Sequence, residues 1–150
     1  MTRLTIGIIL YSVLIQAAAA TQSSLWEPLV QSQRGVQDKA LNGQLYRVDT
    51  VELRQRLFRA APEGRSADNS SIEIPLADGE IQRFQLESSP VMAPELAARY
   101  PEITSYRIYG IDNPHATGRV SLSPAGFHGM ISSPAGTVFI DPQSEGVYRA

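Results

Sequence analysis

Arg119-Val-Ser-Leu-Ser-Pro-Ala-Gly-Phe-His-Gly-Met-Ile-Ser-Ser-Pro-Ala-Gly-Thr-Val-Phe-Ile-Asp141 contains two copies of Ser-Pro-Ala-Gly, at Ser123 to Gly126 and Ser133 to Gly136. Proline at the second place of a turn presets φ, and glycine at the fourth accepts a left-handed backbone, so each tetrapeptide reads as a tight reversal. Around them, Arg119 to Ser123, Phe127 to Ile131 and Thr137 to Asp141 carry apolar side chains at about every second position. That is the period of a half-buried strand. The stretch predicts an antiparallel meander.

Upstream, Ile72, Ile74 and Leu76 alternate with polar or turn residues, Asp78-Gly79 is a hairpin signal, and Ile81 to Leu86 returns. Ile81 falls on the other parity from Phe84, which predicts a bulge near Gln82 or Arg83. Asp49 stands where it can cap a helix from about Thr50 to Ala61, with Glu52 at the positive end of its dipole and Pro62 and Gly64 beyond its end. Pro94 opens a short helix, about 94–100, which Pro101 closes, and Ile103 to Tyr109 resumes the sheet. Leu45 to Val48 forms a first strand, and Arg65 to Ser71 reads as a polar loop. The expected class is α+β, mainly antiparallel sheet with one amphipathic helix and one short one.

At the N-terminus, Arg3 precedes an apolar run, Leu4 to Ile15, followed by Gln16 and four alanines. This is the order of a secretory signal peptide over residues 1–20, cleaved between Ala20 and Thr21. The apolar core is shorter than the roughly 20 residues that span a bilayer, so the expectation is a secreted or periplasmic chain with no membrane contact after processing. Residues 21–42, rich in Gln, Ser and Gly, read as an extended or poorly ordered leader, with Trp26 a docked anchor or a contact for a partner domain. Residues 43–150 then form a single domain. With no cysteine, that domain rests on packing and strand pairing alone.

Thirteen basic and 15 acidic residues leave the chain near neutrality, and the dispersed arginines form no run that would bind nucleic acid. Arg54, Arg56 and Arg59 are spaced as a solvated helix face. The two histidines, His115 and His128, are 13 residues apart and lack a glutamate at helical spacing, which matches no zinc helix. Ser-Pro-Ala-Gly is not a Gly-x-Ser-x-Gly elbow, and Glu73, Asp78, Glu80 and Glu87 surround an exposed hairpin where solubility accounts for them. No catalytic residue, metal ligand or cofactor-binding residue is expected.

Ser89-Pro-Val-Met-Ala-Pro-Glu-Leu-Ala-Ala-Arg-Tyr-Pro-Glu-Ile103, then Tyr106-Arg-Ile-Tyr-Gly-Ile-Asp112, Gly126-Phe-His128 and Gly136-Thr-Val-Phe-Ile-Asp-Pro142 follow one another in this order. Their order and wording resemble the N-terminal, propeptide-like region of secreted bacterial zinc metalloproteases of the reprolysin-like (adamalysin-type) metzincin group. The resemblance runs from about Leu25 to the end and is densest from Pro75 to Pro142. It implies a non-catalytic pro-region, with zinc in a catalytic domain absent from this chain and with that cognate domain as partner.

By the same resemblance the chain would continue beyond Gly146-Val-Tyr-Arg-Ala150, which reads as a strand at the end of a truncated domain. Some pro-segments of this group silence the enzyme by offering a carboxylate to zinc, and Asp112, on a Gly/Pro-bounded loop, is the candidate. An Asp-Asn-Pro turn held by side-chain to backbone hydrogen bonds accounts for the same residue. A free-standing secreted module that holds a peptide on an open sheet face or edge is the alternative function.

Overall fold

In a computed structural model the described residues are 24–29, 43–65, 70–76 and 78–150. The leader read over residues 1–20, with its cleavage between Ala20 and Thr21, lies outside them. Among the described residues nine strands and two helices follow in chain order: β1 (Trp26–Pro28), β2 (Leu45–Val48), α1 (Thr50–Phe58), β3 (Ser71–Pro75), β4 (Ile81–Ser88), α2 (Pro94–Arg99), β5 (Thr104–Gly110), β6 (Thr117–Ser123), β7 (Gly126–Ser133), β8 (Gly136–Ser144) and β9 (Val147–Arg149). All strand pairs are antiparallel, in the order β1-β2-β9-β8-β7-β6-β5-β4-β3. The class is therefore mainly β. The expected α+β description overweights two short helices on a nearly closed, barrel-like sheet.

The meander follows the turn chemistry. Ser123 pairs with Gly126 and Ser133 with Gly136, leaving Pro124-Ala125 and Pro134-Ala135 as the connections. Gly126 and Gly136 have φ of 122° and 133°, so the positive φ falls on the residue after each Pro-Ala pair. A side chain would be strained at either position.

Period-two alternation sends Val120, Leu122, Phe127, Ile131, Val138 and Ile140 into one core. Trp26 crosses that interior. Its ring lies 6.1 Å from Tyr46 of β2, 5.9 Å from Phe127 of β7 and 5.8 Å from Tyr148 of β9. Its indole N–H donates to the Glu73 carbonyl of β3 at 2.6 Å, joining the two ends of the sheet order. A strand thus occupies part of the segment read as a leader, its ordering offset together by burial of Leu25 and Trp26, pairing with β2 and the bond to Glu73. Residues 21–23 and 30–42 of that segment are outside the described residues.

Helix α1 is capped as the sequence predicts, with Asp49 Oδ1 accepting from the Val51 and Glu52 amides at 2.9 and 3.0 Å. It contributes Leu53 and Leu57 to the core and ends at Phe58, three residues before the expected Ala61. Ala61 instead makes a parallel bridge to Glu87. Its carbonyl accepts from the Ser88 amide, and the buried Ser70 Oγ accepts its N–H and donates to the Leu86 carbonyl. Ser70, in the stretch that reads as a polar loop, is a fully buried bridge between Ala61, just past α1, and β4.

The bulge expected at Gln82 or Arg83 is absent: β3 and β4 pair without interruption from Ser71↔Gln85 to Pro75↔Ile81. Ile81 stays half-buried on the outer parity, while Gln82 takes the inner position at the end of the strand. The register shift occurs between Pro142 and Ser144, where β8 meets β9. Among the described residues no helix is long and apolar enough to cross a membrane.

Candidate functional site

Between β4 and β5 the chain leaves the meander for Ser89 to Ile103, which holds α2. Pro94 starts this helix without a side-chain cap, and none of its residues is buried. A six-residue helix with no buried face has little to hold it by itself. It is tied at its root instead: the Ser89 amide donates to the Ser105 carbonyl at 3.0 Å, and Ser105 Oγ donates to the Ser89 carbonyl at 2.7 Å. Val91, Leu96, Tyr100 and Ile103 stay exposed, Val91 by 69%.

Beneath this excursion lies a cleft of about 410 Å³, lined by Val91, Met92, Ala97, Pro101, Ile103 and Tyr106, with Ser121 at its border. Thr104 Oγ1, also in the lining, is buried with no hydrogen-bond partner among the described residues. Apolar walls form a receptacle for an aliphatic or aromatic side chain, with the Thr104 hydroxyl closed off from solvent behind them. The sequence signal for it was a run of apolar residues punctuated by Pro90, Pro94 and Pro101, in a segment with no strand period to bury them.

A larger hollow, about 690 Å³, follows α1 and is lined by Asp49, Glu52, Gln55, Arg56, Arg59 and Ser71. Its charges largely satisfy one another. Arg56 pairs with Glu52 at 2.7 Å and reaches Glu73 of β3 at 3.6 Å, so it ties the helix to the sheet, while Arg54 and Arg59 face solvent. The apolar cleft is the better candidate because burial of apolar surface is what retains a partner, and the hollow along α1 is mainly polar, with Val51 its only large apolar side chain.

Asp112 lies in the turn between β5 and β6, with its carboxylate on Arg83 of β4. Arg83 Nη2 is 2.7 Å from Oδ1, and the Arg83 amide donates to Oδ2 at 2.8 Å. Side-chain and then backbone hydrogen bonds from Arg83 hold the Asp112 carboxyl below the ordinary carboxylate range. The turn itself is held by Asn113, whose Oδ1 accepts the His115 amide at 3.1 Å. To ligate a partner's metal Asp112 would first have to leave Arg83. Because its folded pKa is depressed, its contribution to stability is present at neutral pH and lost as the pH falls through that lowered value. Asp112→Asn should therefore unfold at slightly lower denaturant than wild type at pH 7, and the two curves should merge in acid; equal midpoints at pH 7 would show the pair to be inert.

His115 and His128 serve separate places. His128 stands on the outer face of β7 with Nδ1 3.0 Å from Asp141 Oδ1, whereas His115 belongs to the β5–β6 turn. Among the described residues no group of three or more His, Cys, Asp or Glu is placed to hold a metal ion. Of the hairpin acids, Glu73 accepts the Leu25 amide, Asp78 accepts the Glu80 amide, Glu80 accepts the Gln82 side-chain amide and Glu87 accepts the Gly64 amide. Compared with family models, curated proteins and solved structures, the chain matches none.

Proposed function

We propose that this chain is the non-catalytic N-terminal pro-region of a secreted or periplasmic zinc metalloprotease, and that it assists the folding of its catalytic domain or obstructs it. The reading draws on the resemblance carried by Ser89–Ile103, Tyr106–Asp112 and Gly136–Pro142. The observation that carries it is the exposed β4–β5 connection. Ser89–Ile103, the first of the quoted motifs, is the long connection within the β3–β9 meander among the described residues, and it spends its apolar side chains on a cleft rather than on the core. Zinc and the scissile chemistry belong to the cognate domain in this reading.

A free-standing module that holds a peptide is the second reading, favoured by the same cleft. It would use that cleft rather than a sheet edge. The outer strands β1 and β3 are short, each ends in a proline, and Trp26 spans from one to the other.

The test is to supply the chain in trans to the cognate catalytic domain that this reading requires and to follow refolding yield and peptide hydrolysis. A higher yield of active protease, or slower hydrolysis, is expected. No effect on either would reject the pro-region and leave the module.

A further inference from the structure

The outer face of β5 to β8 has an uneven cross-strand row. Glu87 faces Arg107, Arg107 faces Arg119, Arg119 faces Met130 and Met130 faces Phe139. Arg107 has its counter-ion, Glu63 at 3.2 Å. Arg119 has none among the described residues: Nη2 donates only to Ser89 Oγ, at 3.3 Å. Two like charges directly opposite one another oppose strand pairing, so the sheet bears an electrostatic cost here that a carboxylate would relieve. Beside the charge, Tyr109, Met130 and Phe139 are exposed, Phe139 by 58%. A shallow cleft of about 360 Å³ runs between Arg107, Tyr109, Thr117, Arg119, Met130 and Ser132. On the other side of Arg119, Ser121 borders the apolar cleft under α2.

We infer that this face docks an acidic, apolar polypeptide segment, in which a carboxylate meets Arg119 and adjacent aromatic or aliphatic side chains cover Met130 and Phe139. Charge complementarity selects the partner: a half-buried guanidinium without a counter-ion favours glutamate or aspartate, and its planar fork binds a carboxylate through two hydrogen bonds. The flanking side chains then require apolar neighbours in the same segment. The inference goes beyond the pro-region reading and holds whether the segment belongs to a protease domain or to another protein.

Titration of the full chain with a short synthetic peptide alternating glutamate with leucine and phenylalanine tests it. Saturable binding is expected, weaker at high salt, with chemical-shift changes at Arg107, Arg119, Met130 and Phe139. Arg119→Gln should lower affinity about tenfold, the usual worth of one charge-assisted hydrogen bond. Phe139→Ser should weaken binding with only a small fall in the unfolding midpoint, because that ring is more than half exposed and loses only its cross-strand contact with Met130. A peptide with lysine in place of glutamate should not bind. Equal binding of the lysine peptide, an unchanged affinity in Arg119→Gln, or no binding of the acidic peptide would overturn the inference. So would concentration-dependent self-association relieved by Phe139→Ser, which would assign the face to a second copy of the chain.

Discussion

Trp26→Ala lowers the unfolding free energy by about 3–5 kcal/mol, the range for truncating a large buried aromatic. Trp26 is fully buried, contacts three other aromatic rings and bonds to Glu73 across the ends of the sheet order. Its loss would leave a cavity where β1, β2, β7 and β9 converge and would release β1, which is only three residues long. Against a total stability of about 5–15 kcal/mol, this is a large share. Urea unfolding followed by far-ultraviolet circular dichroism measures it, since the variant has no tryptophan left to report by fluorescence. Trp26→Phe keeps most of the apolar bulk and removes the indole N–H, so it should lose less, about 1–2 kcal/mol. If Trp26→Ala stays within about 0.5 kcal/mol of wild type, the typical effect of a neutral surface change, Trp26 does not close the barrel.

Gly110→Ala is the second large effect. Gly110 ends β5 opposite Phe84, and its amide donates to the Ala116 carbonyl at 2.8 Å, closing the turn to β6. A Cβ placed there would stand 1.9 Å from the Asn113 carbonyl oxygen and 3.1 Å from that of Ala116. Those atoms are backbone and cannot rotate away, so the turn must move, taking the buried Ala116 and Asp112 with it. A cost of about 3 kcal/mol is expected, at the upper end for inserting one carbon into a packed region. The Arg83 side-chain N–H resonance should shift as its bond to Asp112 loosens. An alanine variant with wild-type stability and an unmoved Arg83 signal would show that the turn accommodates a side chain.

The meander was legible because Ser-Pro-Ala-Gly and Asp-Gly mark turns locally, and period-two patterning marks the faces between them. Asp49 was legible for the same reason, since a cap is a contact within one turn. Trp26 was not fully legible: its strand is three residues long, and what holds it is a set of rings far away in sequence. The early end of α1 follows from Ala61 bonding to Ser70 and to β4, partners that helical periodicity does not reveal. The expected bulge is absent because Ile81, at the end of β4 opposite Pro75, packs against the edge of the core from the parity of Arg83 with no residue inserted. Of the candidate site, Asp112 was visible as a turn acid, but its hold on Arg83 depends on which strands become neighbours. The unpaired Arg119 depends on the same thing.

Hydrogen exchange of the full chain, alone and mixed with a reprolysin-like metalloprotease catalytic domain, tests the proposal that the connection between β4 and β5 is the partner-binding surface. The account predicts slower exchange from Val91 to Ile103 in the mixture, with no change at the Asp78-Gly79 hairpin. Unchanged exchange over Val91 to Ile103, or protection confined to the hairpin, would contradict it.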